Sequence, residues 1–454
     1  MNGKIIGLED WRFEDMASLG AEHTTFLDRA CAFLLALSPL LQFYVGPVRN
    51  AGFTIMVLIA PLLVLRLAKT ASTGRVDTRC MFAVIPMLLF QLFKLFDHGV
   101  TINKLVYCVF FLVVFVAAAA GCINVRLLVK YAMLVCLAAS ALLVVQYFCF
   151  YLLGFHLQLA PTSLFLPSSE AWTLGVQTGL YGLRGIKNGF YRPSAFFMEP
   201  SHMFLYAFPV LALLLLSRRM NAWRMINAAL ITVGMILSTS GMGIVVAAGL
   251  WGVYIALYRS KRSRKNVARF KNLLTARSIV LIFGALVLVT AMYFTVPVFK
   301  KAADRLLQSS PTGQSSAVSG RNKKANELIR NMSGTELVTG VTEDLTGLNF
   351  NLPGFHATLY KYGWIGLILS YWFYVQFLFR TRGAGFWISA VILVVSFFSA
   401  HTHGTFFLQY YLLVLLNAMY MSGKQPAEEK LPAGAGCAPS GGKSGQQEVI
   451  SGIN

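Results

Sequence analysis

Two short stretches hold most of the side chains in this sequence that could do chemistry. The first reads Tyr191-Arg192-Pro193-Ser194-Ala195-Phe196-Phe197-Met198-Glu199-Pro200-Ser201-His202. Glu199 is the only acid in the apolar run 194–216. Ionisable groups inside such runs cost about 2.5–3.5 kcal/mol on insertion scales and usually mark function. Pro200 lacks a backbone donor, so a helix must kink or start there. Glu199 and His202 are three residues apart and are expected to share a helix face. The second stretch carries Ser319-Gly320-Arg321, then Val338-Thr339-Gly340, then His356, and leads into Tyr360-Lys361-Tyr362-Gly363-Trp364-Ile365-Gly366. Imidazole exchanges protons near neutral pH, and guanidinium groups grip phosphate oxygens bidentately while staying charged. Plainer roles compete with these. A Glu–Arg or Glu–His pair can hold a broken helix together, interfacial His can snorkel, and most charges around 322–331 suit a solvated amphipathic helix.

The elements that must position these residues follow from hydropathy. The chain is 56% hydrophobic and 13% charged, with a mean hydropathy of +0.63. A soluble protein carries about 25% charged residues, so most of this surface must face lipid. The apolar runs are continuous rather than alternating, which selects helices over a barrel. Expected spans cover 30–45, 51–67, 81–96, 105–123, 131–153, 194–216, 225–240, 241–258, 278–298, 359–379, 386–400 and 405–421. The fold class is therefore all-α, a polytopic bundle of about 12 transmembrane helices. Its parts are a cytoplasmic segment 1–29, a membrane domain 30–421 and a disordered cytoplasmic tail 422–454.

The net charge of +21 sits mainly in short loops between spans, the pattern of the positive-inside bias and not of a nucleic-acid patch. The basic stretch 259–277 contains no acid and anchors the cytoplasmic side. Counting spans outward from it puts every short basic loop on that side, leaves both termini cytoplasmic, and places the long loops 154–192 and 299–355 outside. Six of the seven His (His98, His156, His202, His356, His401 and His403) then lie at or near the outer face. The Cys residues have no metal-ligand spacing, and Cys31, Cys108, Cys122, Cys136 and Cys149 read as small buried hydrophobes. His401-Thr402-His403 alone does not signal a metal, and no cofactor is expected. Residues 1–28 are polar and do not read as a cleavable signal peptide. No internal repeat is evident.

The stretch from Arg192 to His202, the Ser319-Gly320-Arg321 and Gly340 segments, and His356 leading into Gly363–Gly366 resemble the Wzy-type polymerases of O-antigen and exopolysaccharide assembly. Their superfamily includes the O-antigen ligases. The resemblance covers about a fifth of the chain. It implies transfer of a glycan from an undecaprenyl-diphosphate-linked donor at the outer face of the bacterial inner membrane. A flippase and a chain-length regulator are the protein partners it suggests. By that resemblance Arg192 and Arg321 bind the diphosphate, supported by Arg184 and Lys187. His356 is the candidate base, Glu199 is an alternative base or a positioning partner, and His202 is a supporting residue. In a polymerase the acceptor is another lipid-linked repeat unit; in a ligase it is a lipid A core. A transporter of lipid-linked sugars is the rival of a different class. Transporters usually place ionisable residues near the midplane, whereas these sit at the outer ends of their helices.

Overall fold

The computed structural model describes residues 25–46, 51–72, 78–96, 99–155, 157, 193–216, 222–238, 240–263, 317–341, 352–381, 384–399, 403 and 406–423. These residues form thirteen helices and no strand. The first five are α1 (Phe26–Leu41), α2 (Ala51–Ser72), α3 (Thr78–Phe96), α4 (Ile102–Ala119) and α5 (Val125–Tyr151). Three more follow, α6 (Pro200–Leu215), α7 (Ala222–Leu237) and α8 (Gly241–Ser263). Two polar helices, α9 (Ala317–Arg330) and α10 (Gly334–Thr339), precede α11 (Gly354–Arg380), α12 (Ala384–Phe398) and α13 (Phe406–Gly423).

Among the described residues four helices are long and apolar enough to cross a membrane: Ala51–Ala68, Thr78–Phe96, Val125–Tyr151 and Gly354–Arg380. Shorter apolar helices accompany them. The protein is a membrane-embedded helical bundle. Its outer helices expose large apolar side chains such as Leu65, Phe82 and Ile368, which a water-facing surface would not tolerate in such numbers. Helices overlap every expected span except 278–298, which lies outside the described residues.

Local signals fix the helix starts. Thr25 and Asp28 form a capping box on α1. Thr101 caps α4 and Asn124 caps α5, each accepting a bond from a backbone N–H of the first turn. In α6 every residue from His202 to Leu215 is buried, and in α13 every residue from Phe406 to Leu416. A helix that is apolar on all sides belongs at the centre of a bundle, and α1, α5 and α12 pack on both of these two.

The helix ends sort into two sets. At one end Arg66 on α2 pairs with Asp28 at the start of α1 and donates to the Cys122 carbonyl just after α4, at 2.9 Å. At the same end Arg380, closing α11, donates to the Arg79 carbonyl near the start of α3, at 3.0 Å. At the opposite end the Phe406 N–H, opening α13, donates to Gln42 just after α1, at 3.1 Å. There the Phe406 ring meets Tyr107, Phe110 and Phe111 of α4.

Two expected spans change on folding. The run 194–216 becomes helical only from Pro200, and residues 193–199 form a turn ahead of it. The run 359–379 belongs to α11, but Gly363 breaks that helix with φ 60 and ψ −167. A Cβ on Gly363 would lie 2.3 Å from the Val338 carbonyl carbon and oxygen. One on Gly340, where φ is 94, would lie 2.2 Å from the Lys361 oxygen. The two backbones therefore meet where neither carries a side chain. An Ala at Gly340 or Gly363 combines left-handed backbone strain of about 1–3 kcal/mol with a backbone collision. Gly340→Ala and Gly363→Ala are therefore expected to destabilise the protein by more than about 2 kcal/mol. Gly249→Ala, where a Cβ meets nothing within 4 Å, is expected to be neutral or stabilising by up to about 1 kcal/mol. Thermal unfolding in detergent separates the two cases, and equal transition temperatures would refute the close approach.

Candidate functional site

The break at Gly363 sets apart the first segment of α11, Gly354 to Tyr362, which carries His356. Three contacts fix that segment. The Val341 N–H donates to the Tyr360 carbonyl at 2.8 Å. Gly354 packs so closely on the end of α12 that a Cβ would lie 2.2 Å from the Ser396 oxygen. The Phe355 ring packs on Tyr371 and Phe397, at centroid distances of 6.1 and 6.0 Å. The Ser396 carbonyl also accepts from Tyr371 Oη at 3.0 Å and faces His403 Nε2 at 3.2 Å.

His356 is half-buried, and its Nε2 lies 3.0 Å from Asn326 Oδ1 on α9. With that oxygen as acceptor, Nε2 carries the proton and Nδ1 presents its lone pair. Nδ1 is shielded from solvent and has no hydrogen-bond partner among the described residues. The arrangement is a tautomer-fixed imidazole whose free nitrogen can accept a proton. Helix α9 is held by Ala325, which is fully buried, and by Ile329, which packs against Leu359 and Leu367 of α11. Arg321 lies on α9 one turn before Ala325; its side chain is outside the described residues. Helix α10 begins with a Ser333–Glu336 capping box. Bonds from the Ser333 backbone N–H and hydroxyl hold the Glu336 carboxyl below its ordinary pKa.

The turn ahead of α6 is equally constrained. Glu199 is the N-cap residue, with extended φ −135 and ψ 153, so it does not share a helix face with His202 as the spacing alone implies. The carboxylate accepts from Ser201 Oγ at 2.9 Å. Ala195 adopts a left-handed φ of 52, uncommon for a residue with a Cβ. Gln146 of α5 holds it there by accepting from the Ala195 N–H at 3.0 Å, and Tyr44 Oη donates to the Phe196 carbonyl. His202 is buried rather than open to the surface. It stacks on Phe43 with centroids 4.1 Å apart and planes at 2°, and meets Phe407 at 6.2 Å. His403 is buried beside Tyr371 and Tyr374, not exposed on a turn. His202 is thus buried among aromatic rings, while Glu199 is half-buried at the mouth of α6.

The two constellations share one end of the bundle. Phe407 touches His202, and His403, four residues earlier, touches the Ser396 carbonyl against which Gly354 packs. Arg192, Arg184 and Lys187 lie outside the described residues. Among the described residues no group of three or more His, Cys, Asp or Glu could hold a metal. Cys31, Cys108, Cys122, Cys136 and Cys149 are all buried. Asn326, Gln146 and Tyr44 were not legible as site residues; for Gln146 alone, a polar side chain within an apolar run was the available signal. No protein-family model matches this chain, and no curated protein matches it.

Gln146 tests how the Glu199 turn is held. Gln146→Leu leaves the buried Ala195 N–H without its acceptor, at a cost of about 1–3 kcal/mol. Thermal unfolding in detergent is expected to show a loss in that range. An unchanged transition would mean that the turn does not depend on this bond.

Proposed function

We propose that this chain is a membrane glycosyltransferase of the polysaccharide-polymerase type, joining oligosaccharide repeat units carried on undecaprenyl diphosphate into O-antigen, capsule or exopolysaccharide. In this reading the bundle has about twelve spans and lies in the bacterial inner membrane, with both termini cytoplasmic and the loops 154–192 and 299–355 periplasmic. The observation that carries it is the fixed His356–Asn326 pair on a helix segment clamped by Gly340 and Gly363. That pair sits at the opposite end of the bundle from Arg66, Arg79 and Arg380. By the positive-inside bias we read the arginine end as cytoplasmic and the His356 end as periplasmic.

The His356 imidazole accepts the proton of an acceptor sugar hydroxyl once substrate opens a path to Nδ1, which is shielded in this structure. The freed oxygen pair forms the new bond to the anomeric carbon of the donor. The bond from that carbon to the diphosphate oxygen breaks, and its electrons leave with the diphosphate. Arg192 and Arg321, with Arg184 and Lys187, offset the charge that grows on the leaving group; fixed cations of this kind are often the largest single contribution to catalysis. Asn326 keeps the reactive nitrogen of His356 in its lone-pair form. Glu199, at the mouth of α6, orients the acceptor or serves as the alternative base.

Arg321→Ala and, separately, His356→Ala are expected to insert normally yet leave surface glycan as single repeat units. Loss of the base corresponds to about 10²–10⁴ in rate. Electrophoresis of extracted glycan reads the chain length, and normal polymer from both variants would overturn the assignment. Long polymer retained on its lipid carrier would instead indicate the ligase reaction, and single units trapped at the cytoplasmic face would indicate a flippase.

A further inference from the structure

The break at Gly363 divides α11 into two segments, and one carbonyl joins them again. Ser396 lies near the end of α12, so its carbonyl is among the last four of that helix and lacks a donor from a further turn. Tyr371, in the second segment of α11, donates to it at 3.0 Å. Gly354, which opens the first segment, packs on it so closely that only a residue without a Cβ fits. His403 Nε2 reaches the same oxygen at 3.2 Å. With a carbonyl as its partner, that nitrogen must carry the proton. The His403 ring is buried against Tyr371 and Tyr374, at centroid distances of 5.0 and 5.4 Å. Its Nδ1 has no hydrogen-bond partner among the described residues. A buried polar atom left without a partner is unfavourable, and an apolar side chain would pack against these rings without that loss. What imidazole adds here is the bond from Nε2.

We infer that His403 is a positioning residue for His356. Its Nε2–H and the Tyr371 hydroxyl together use both lone pairs of the Ser396 carbonyl and fix the oxygen on which Gly354 is seated. Gly354 stands two residues before His356 in the same helical segment, so this seat sets where His356 meets Asn326, 3.0 Å away on α9. The Val341 bond to the Tyr360 carbonyl holds the other end of the segment. Without the His403 bond the Gly354 end moves while the Tyr360 end stays, and the imidazole swings off Asn326. The effect on glycan transfer rests on the reading of His356 as the base; the placement of the imidazole does not.

Carbethoxylation of the full chain in detergent, followed residue by residue by mass spectrometry, tests this role. Diethyl pyrocarbonate attacks an unprotonated imidazole nitrogen. In the wild type His356 has Nε2 bonded to Asn326 and Nδ1 shielded, so it reacts slowly. His403→Leu is expected to raise the His356 rate about tenfold, as the loss of one hydrogen bond allows. His202, buried against Phe43, is expected to keep its wild-type rate. His403→Gln, whose amide can donate to the same carbonyl, is expected to restore slow modification. Tyr371→Phe removes only the second donor and is expected to act in the same direction as His403→Leu; it decides should the Leu variant not fold. An unchanged His356 rate in His403→Leu, or in Tyr371→Phe where that is the variant that folds, would overturn the role. So would equal His356 rates in the Leu and Gln variants, or His202 and His356 rising together, which marks general loosening. In cells that make the glycan, the Leu variant is expected to shorten the polymer and the Gln variant to keep its length. Normal polymer from a Leu variant whose His356 reacts fast would reject His356 as the base and leave the positioning intact.

Discussion

Two peptide backbones can touch only where no Cβ intervenes, and the meeting of Gly340 with Gly363 is the contact on which the His356 end of the bundle depends. Both residues adopt positive φ, and each faces the backbone of the other's segment. The contact joins the short helix α10 to the break in α11. Without that break α11 would run straight for 27 residues, about 40 Å, and His356 would stand at the tip of a long rod. With it, the first turns of α11 turn aside, and their far end packs through Gly354 on the Ser396 carbonyl. His356 then meets Asn326, and Lys361 meets the Tyr362 ring. One glycine contact thus sets both.

A second constraint holds the centre. Helices apolar on all sides can slide or rotate against one another in lipid, because the hydrophobic effect does not distinguish their faces. The interfaces among α1, α6 and α13 resist this with buried polar bonds. Tyr206 Oη donates to the Ala36 carbonyl at 2.7 Å, Tyr411 Oη to that of Leu205 at 2.9 Å and Tyr410 Oη to that of Tyr206 at 3.3 Å. Gln409 donates to Ser38 of α1. The Tyr206 and Tyr410 rings stack at 5.1 Å. Each bond is strengthened by the low-dielectric surroundings and allows one register. That register brings Phe407 level with His202, and so aligns the turn bearing Glu199 with the helix end bearing His403.

Hydropathy made the helical class and the approximate extent of most helices legible, because each apolar run satisfies its own backbone locally. Pro200 announced the start of α6, but the run was read as helical from Ser194. Apolar composition says nothing about backbone conformation, and the strained turn at Ala195 depends on Gln146, 49 residues earlier. Gly363 was visible as a glycine, yet its break required knowing that Gly340 arrives against it. His202 and His356 looked alike as interfacial imidazoles. Their different fates, stacked on Phe43 or bonded to Asn326, are set by tertiary neighbours that no local spacing encodes.

The charge distribution follows from the same bilayer physics. Short loops rich in Lys and Arg are retained on the cytoplasmic side, while long loops cross largely regardless of charge. A protein that handles an anion at its outer face therefore has two places for cations. It can carry them in long loops, as with Arg184, Lys187, Arg192 and Arg321 in the proposed orientation. It can also place them at helix ends, where an aromatic face offsets part of the loss of hydration, as Tyr362 does for Lys94 and Lys361.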